Sequence, residues 1–538
     1  MGVDYKQLRF LIVDDFPEMR SSLRGMLETF GARNVMDTRN GKETIALLEK
    51  KSFDIILCDY NLGEGKNGQH ILEEAKHRNL IKYSTVFMMI TAETTVAMVM
   101  GAVEYEPDGY LTKPFNKSVL KTRLDKLIER KSTFEMVERA LANEDHAKVI
   151  ALCDERVTED GRYKLEFLKL KCESLIHTGQ YRKAADILDS LLAGRNITWA
   201  NLCLGQIHFY EKNFIHAKDI FQNLVQEHKN YIPGYDWLAK TMIAMGETNE
   251  AQTVLKAAID LSPNAILRHK KLAEVAIRNN NLDVAERSLK SAVKMGKYSC
   301  YKNTGDYTTL AKVMADKGAP IESVKILNEA RKEFTNDADA SIDLAVSEGI
   351  IYKRMGRDEE ASKSLEQAAM LQNTLTKKVS TDVSLNYARL CYELGHTEQG
   401  DKAMQELVKA HIEDEEIMDK AQALFADLGK QSEGNIIIDD IKKHVKDINK
   451  EGVRLANEGK LEEAIDLFEK ASKGLPNNMA ISLNAAQALI LYLQKNGRED
   501  NLLARACNYL NRVKEKNPAN SRFQQLFTMY KQVAGINQ

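Results

Sequence analysis

Residues 53–59 read Phe-Asp-Ile-Ile-Leu-Cys-Asp, a short apolar run that ends in an acidic residue. A run of this length with apolar side chains on both faces is typical of a buried strand in a parallel sheet. Similar runs occur at residues 9–13, 86–90 and 109–111, and a shorter one lies at 35–36. The sequence therefore predicts a parallel β-sheet near the start of the chain.

Helical patterns separate these predicted strands. Leu23, Met26, Leu27 and Phe30 share one helical face within residues 21–30, and residues 41–50 form a second helical segment. Strands that alternate with helices in this way predict an α/β doubly wound domain.

Polar side chains follow the predicted strands directly, at Asp14, Asp15, Asp59, Thr91 and Lys113. Because doubly wound sheets bind ligands at the carboxyl ends of their strands, these residues should gather at one edge. Three carboxylates placed together repel one another unless a cation joins them, and oxygen ligands in an open, hydrated site favour Mg²⁺. We therefore expect a site where Asp59 attacks a phosphoryl group and Lys113 pairs with the phosphate formed.

These residues, with Tyr110 and Lys113-Pro114-Phe115, resemble the signature of the two-component receiver domain, the CheY-like family. The intervals are 45 residues from Asp14 to Asp59, 32 to Thr91 and 22 to Lys113, similar to the spacing in that family. The resemblance covers about residues 6–128 and implies a flavodoxin-like fold.

The resemblance also implies a role for each site residue. Asp59 would accept phosphate from a sensor histidine kinase, Thr91 and Tyr110 would switch conformation, and Lys113 would bind the phosphate. Asn61 and Glu93 would tune dephosphorylation. The implied Mg²⁺ ligands are Asp14, acting mainly through water, Asp15, Asp59 and the Asn61 carbonyl. The loop after Asp59 is glycine-rich and lacks the proline of many receivers, a difference that leaves the fold intact and bears on which kinase docks.

Beyond about residue 135 the chain repeats itself. A small residue recurs at intervals of 33, 34, 34, 38, 38, 39 and 64, at Ala184, Ala217, Ala251, Ala285, Ser323, Ala361, Gly400 and Ala464. Five positions earlier stands a glycine or polar residue, and four positions later a large apolar one. This pattern predicts stacked helix pairs that turn in left-handed backbone and approach closely at the small residue.

The repeats resemble tetratricopeptide repeats (TPRs). Residues 349–368 carry one such pattern, residues 201–224 another, and Ala147 lies in a degenerate first repeat. Residues 431–435 are polar and glycine-containing, which predicts a break. We therefore expect a multidomain chain: a receiver domain at 1–130, an all-α TPR solenoid at 131–430, and helical repeats at 431–538 that continue or cap it.

Solenoids present a concave face suited to protein partners. Tyr210, Tyr231, Tyr235 and Trp237 are candidates to line it, and the alternative is that they only pack the helices.

Composition narrows the function classes. The formal net charge is −2, which gives no basic footprint for nucleic acid or an anionic membrane. The seven cysteines are widely spaced, and no apolar run approaches the roughly 18 residues of a membrane span. The start lacks the apolar core of a signal peptide. We expect a cytoplasmic protein that contacts neither nucleic acid nor membrane.

The leading hypothesis is a signalling adaptor of a bacterial two-component system, in which phosphorylation of Asp59 controls protein binding by the TPR tail. Its expected partners are the kinase, an unidentified protein on the repeats and, as a further option, a second copy of the chain. The alternative is a phosphate sink or kinase antagonist. A transcription regulator is disfavoured by the balanced charge, and an output enzyme by the absence of any catalytic motif beyond the receiver's own phosphorylation and dephosphorylation.

Overall fold

The computed structural model describes residues 3–92, 107–159, 161–374, 379–475, 477–517 and 520–535. The chain forms two compact units, Met1–Lys317 and Gly318–Gln538. The first unit contains the predicted α/β domain and the first helical repeats, and the second unit contains helical repeats alone.

The α/β domain is built on a five-stranded parallel sheet with strand order β2-β1-β3-β4-β5. Its strands are β1 (Arg9–Val13), β2 (Asn34–Thr38), β3 (Ile55–Asp59), β4 (Val86–Thr91) and β5 (Gly109–Thr112). The described helices among these strands are α1 (Pro17–Thr29), α2 (Gly41–Leu48) and α3 (Gly68–His77). The doubly wound fold is confirmed. Helix α1 begins four residues earlier than the apolar pattern predicted, with a proline in its first turn, where the missing N–H has no helical partner to lose.

Two apolar cores cover the two faces of this sheet. Alternate residues of each strand point to opposite faces, so that Ile56 and Cys58 belong to one core and Ile55 and Leu57 to the other. This two-sided burial explains why the strands are apolar at consecutive positions.

A long helix, α4 (Lys117–Ala142), packs on the sheet through Leu120 and Leu124 and on the first repeat through Phe134 and Val137. It crosses residue 130, the expected domain boundary, without interruption. The remaining helices are α5 (His146–Glu159), α6 (Lys164–His177), α7 (Tyr181–Leu192), α8 (Thr198–Tyr210), α9 (Phe214–Glu227), α10 (Ile232–Ala244), α11 (Thr248–Leu261), α12 (Ile266–Arg278), α13 (Leu282–Gly296), α14 (Thr304–Asp316), α15 (Pro320–Glu333), α16 (Ala338–Arg354), α17 (Asp358–Thr374), α18 (Thr381–Glu393), α19 (Thr397–His411), α20 (Glu415–Asp427), α21 (Gln431–Asn457), α22 (Leu461–Gly474), α23 (Met479–Asn496), α24 (Asp500–Lys516) and α25 (Ser521–Ala534).

The predicted geometry of the repeats is confirmed at each aligned position. The turn residues have left-handed φ between 54° and 85°, at Gly179, Lys212, Gly246, Asn280, Gly318, Gly356, Gly395 and Gly459. The small residue five positions later is buried in every case, and the large apolar residue four positions further is at most 3% exposed. The helix after each turn therefore packs through a small residue flanked by a large one.

In the first repeat Ala147 is an exposed residue of α5, whose buried residues include Val149 and Cys153. One detail of the predicted repeats is wrong. Residues 431–435 are not a break, because they form the first turn of α21. Gly429 provides the left-handed turn, Gly434 the small residue and Ile438 the buried apolar one, so the 64-residue interval contains a further helix pair.

Glycine is a poor helix former, so the sequence around Gly434 favours a loop. A β-carbon at this position would overlap the ring of Phe425 on the preceding helix. The close approach of two helices thus outweighs the local preference.

Across the described parts of the chain, no helix combines the length and the apolar character needed to cross a membrane.

Candidate phosphoacceptor site

The acidic residues meet at the carboxyl edge of the sheet, as predicted. Asp14 and Asp15 follow β1, Asp59 ends β3, and these two strands are hydrogen-bonded neighbours. One carboxylate oxygen from each residue lies within 4.8 Å of the other two. Asp14 and Asp59 are buried and Asp15 is half-buried, so the cluster opens to solvent on one side.

Lys113 is the cation of this cluster. Its Nζ atom lies 2.9 Å from Asp14 Oδ2 and 3.2 Å from Asp59 Oδ2. Burial would lower the pKa of Lys113, but the ion pairs with Asp14 and Asp59 outweigh it and raise the pKa. The side chain is therefore charged and already points at the Asp59 carboxylate.

The pKa of Asp59 is shifted from the ordinary value of an aspartate. Burial raises its pKa to about 6, with Asp14 adding to the rise and Lys113 opposing it. The folded protein thus holds a proton on Asp59 more tightly than a free aspartate does, whereas the predicted role as nucleophile requires the ionised form.

We expect metal-free Asp59→Asn protein to unfold at a higher temperature than the wild type at about pH 7.5. A carboxyl group whose pKa rises from 3.8 to about 6 on folding stabilises the fold while protonated, and this stabilisation is lost as the pH rises through 6. The amide never ionises, so the difference should shrink toward about pH 5. Thermal unfolding in a chelator measures it.

Glu64→Gln is the matched control, because Glu64 is an exposed carboxylate in the loop after Asp59. It should leave the unfolding temperature unchanged. Equal unfolding temperatures for wild type and Asp59→Asn at every pH would contradict the raised pKa.

The donor atoms fit a hard divalent cation. Asp15 Oδ1 is buried and has no hydrogen-bond partner among the described residues. The loop after Asp59 runs beside Asp15. A β-carbon built on Gly63 of this loop would lie 3.8 Å from Asp15 Oδ2. Asn61 belongs to this loop and is exposed, with its side-chain oxygen accepting from Gly63 N at 3.4 Å.

Thr91 and Tyr110 lie on the adjacent strands β4 and β5. Thr91 is buried at the end of β4, and its carbonyl oxygen accepts from Lys113 N at 2.8 Å. Tyr110 is half-buried in β5, and its hydroxyl has no hydrogen-bond partner in the described part of the structure. Burial, with Tyr60 nearby, raises the pKa of Tyr110. Glu93 lies outside the described residues, and the switch and dephosphorylation roles stay predictions.

Gly68 links the site to α3, and no role was predicted for it from the sequence. A β-carbon on Gly68 would overlap the Asp59 carbonyl oxygen, and Gly68 N donates to the Tyr60 carbonyl at 2.9 Å. The usable signal was Asn67-Gly68 at a helix start, where Asn67 caps α3 by accepting from His70 N.

Comparison with known proteins agrees with the fold. The response regulator receiver domain family matches residues 10–125, and the tetratricopeptide repeat family matches residues 343–374. Chemotaxis protein CheY-3 of Vibrio cholerae is 34% identical over 125 residues, which are 23% of this chain and 95% of that protein. Chemotaxis protein CheY of Pseudomonas aeruginosa is 31% identical over 123 residues, 23% of this chain and 98% of that protein.

Solved structures similar to parts of the chain include both kinds of domain. A tetratricopeptide repeat protein from Parabacteroides merdae covers 48% of this chain and 98% of its own, at 15% identity and a TM-score of 0.36. The chemotaxis response regulator CheY4 of Vibrio cholerae covers 22% of this chain and 98% of its own, at 26% identity and a TM-score of 0.21.

The chain belongs to the response regulator family, through an amino-terminal receiver domain of the CheY type. Its tail is a series of helical repeats that includes tetratricopeptide repeats. Two-component signalling follows from the family.

Proposed function

We propose that this protein is a phosphorylation-controlled signalling adaptor, in which phosphoryl transfer to Asp59 regulates protein binding by the repeats. The observation that carries the proposal is the Asp59 carboxylate, buried beside Asp14 and 3.2 Å from Lys113, in one chain with TPR-type helices. A histidine kinase is the phosphodonor that fits a receiver domain.

In the proposed chemistry, an Asp59 carboxylate oxygen forms a bond to phosphorus as the bond between phosphorus and the kinase imidazole breaks. The imidazole nitrogen keeps the electron pair of the broken bond and takes up a proton. Mg²⁺, held by Asp14, Asp15, Asp59 and the Asn61 carbonyl, would neutralise the acidic cluster and the phosphoryl oxygens.

Lys113 is positioned to pair with the negative charge of the phosphoryl group as it is transferred to Asp59. Its ammonium group is already paired with Asp14 and Asp59, so little reorganisation is needed to bind a phosphoryl oxygen on Asp59. Thr91 and Tyr110 are the proposed switch pair, since they lie on the paired strands β4 and β5 and the Thr91 carbonyl accepts from Lys113 N.

The binding half of the proposal rests on the repeats. Tyr210 is 45% exposed and stacks on Tyr181 with ring centroids 6.1 Å apart. Lys240 Nζ lies 4.1 Å from the centroid of the Trp237 ring. An exposed aromatic surface with an adjacent cation is typical of protein contact sites, because aromatic rings bury a large area at little entropic cost.

The test is affinity capture of partners by the full-length chain from the host lysate, with and without Mg²⁺ and beryllofluoride, a phosphoryl mimic. We expect at least one partner whose recovery from wild-type protein changes severalfold with the mimic and does not change with Asp59→Asn.

Partners recovered equally in every condition would contradict phosphorylation-gated binding. If the kinase were the only partner, and it were bound equally in all conditions, the chain would instead be a phosphate sink or kinase antagonist.

A further inference from the structure

Helix α3 of the receiver domain contacts a turn of the repeat region within the same compact unit. The turn joins α13 to α14 and includes Ser299 and Cys300. Glu73 Oε1 accepts a hydrogen bond from Cys300 N at 3.0 Å, another from the Ser299 hydroxyl, and a weaker one from Cys300 Sγ at 3.2 Å. One carboxylate thus receives three donors from a segment more than 220 residues away.

Aromatic contacts flank this carboxylate on both sides. The rings of His70 and Tyr298 meet edge to face with centroids 6.4 Å apart, and those of His77 and Tyr301 meet in the same way at 6.0 Å. Glu73 is only 3% exposed. A carboxylate buried on the outer side of a helix is unfavourable unless donors replace its water, and here the turn supplies them.

The start of α3 is held directly against the phosphoacceptor strand. Gly68 packs on the Asp59 carbonyl, and the Tyr60 hydroxyl donates to Gln69 Oε1 at 3.1 Å. A cleft of about 340 Å³ opens beside this point, lined by Tyr60 and Asn61 from the receiver and by Lys294 and Tyr298 from the repeats. The loop that follows Asp59 therefore borders the contact.

The contact between α3 and the turn depends on the few hydrogen bonds that Glu73 accepts. Glu73 Oε2 is buried and lacks a hydrogen-bond partner in the described part of the chain. Hydrogen bonds weaken steeply when misaligned, and a buried carboxylate that loses its donors is strongly unfavourable. A small displacement of α3 would therefore separate the two surfaces, with the receiver still tethered through α4.

We propose that α3 and the Tyr298–Tyr301 turn form an intramolecular latch that is closed in the unphosphorylated protein and loosens when Asp59 is phosphorylated. The proposal rests on the proposed function, because it names the contact through which phosphorylation reaches the repeats. Phosphorylation acts on the loop between Asp59 and Gly68, against which the first turn of α3 packs.

Cys300 provides a native probe of the latch. Burial, together with the hydrogen bond to Glu73 and its negative charge, raises the pKa of its thiol to about 12. The thiol should therefore react slowly while the latch is closed, and faster once Glu73 and the α3 surface have moved away.

The experiment measures alkylation of Cys300 by iodoacetamide in the full chain by peptide mass spectrometry, relative to half-buried Cys507 in the same sample. Glu73→Ala should accelerate Cys300 at least about tenfold, because the thiol pKa returns toward its ordinary value. Beryllofluoride with Mg²⁺ should accelerate it in the wild type and leave Asp59→Asn unchanged. Glu18→Ala, at an exposed carboxylate of α1, should have no effect.

Ser299→Ala removes a hydrogen-bond donor on the turn and should also accelerate alkylation of Cys300. It serves as the test if Glu73→Ala destabilises α3. Slow alkylation of Cys300 in both variants would overturn the latch. Acceleration in the variants without acceleration by beryllofluoride would overturn its coupling to Asp59.

A thermal shift by beryllofluoride in wild type, absent in Asp59→Asn, shows that the mimic occupies the site. Without that shift the proposed function fails, and the coupling fails with it. With the shift and no change at Cys300, only the latch fails.

Discussion

Asp59→Asn should reduce Mg²⁺-dependent labelling by acetyl phosphate to background. The amide has almost the size of the carboxylate but lacks the anionic oxygen that attacks phosphorus, so the loss should be complete. Because Asp59 is buried beside Lys113 and Asp14, the neutral amide fits the same space and the fold should persist. Intact-protein mass spectrometry after acetyl phosphate treatment measures the phosphorylated fraction.

Glu64→Gln is the matched control for this labelling, since it removes a carboxylate from the same loop at an exposed position outside the acidic cluster. It should label like the wild type. Full labelling of Asp59→Asn would move the phosphoacceptor to another residue and would remove the basis of the proposed function.

Phe221→Ala should destabilise the repeats by about 3–5 kcal/mol, the usual result of truncating a fully buried phenylalanine. Phe221 is 0% exposed, lies against Gly205 of the preceding helix and stacks near Trp237, with ring centroids 6.0 Å apart. A β-carbon at Gly205 would overlap the Phe221 ring, so Gly205 brings no side chain that could fill the cavity.

Tryptophan fluorescence during urea unfolding measures this loss, because the only two tryptophans, Trp199 and Trp237, lie on α8 and α10, the helices on either side of α9. Ile215→Ala is the control on the same helix. Ile215 is 65% exposed, and the substitution should shift the free energy of unfolding by no more than about 0.5 kcal/mol. Equal effects of the two substitutions would show that this helix pair is not held by its predicted core.

The repeat pattern was readable because its signals are local. A left-handed turn at Gly179 or Asn280, a small residue five positions later and a large one after it all belong to one helix pair. The pattern failed at Gly434, where local propensity indicated a loop and only the neighbouring ring of Phe425 explains a glycine inside a helix.

The acidic site was predictable for a related reason. Parallel strands place their carboxyl ends at one edge, so Asp14, Asp59 and Lys113 had to converge once the strands were recognised. Their separation along the chain did not matter, because the topology of the sheet brings them together. The raised pKa of Asp59 could not be predicted from the sequence, since it depends on burial and on distances to charged neighbours.

The contact of Glu73 with Ser299 and Cys300 had no signal in the sequence at all. In α3 the apolar residues Ile71 and Leu72 face the sheet, and helical periodicity alone places Glu73 on the other side without showing what covers it. Whether the other side meets water or protein depends on the path of the helices between α4 and α13, which accumulates small angles at every helix pair. Local periodicity dictates each helix and strand of this protein, whereas the partner of Glu73 is dictated by the summed packing geometry of helices that follow it in the chain.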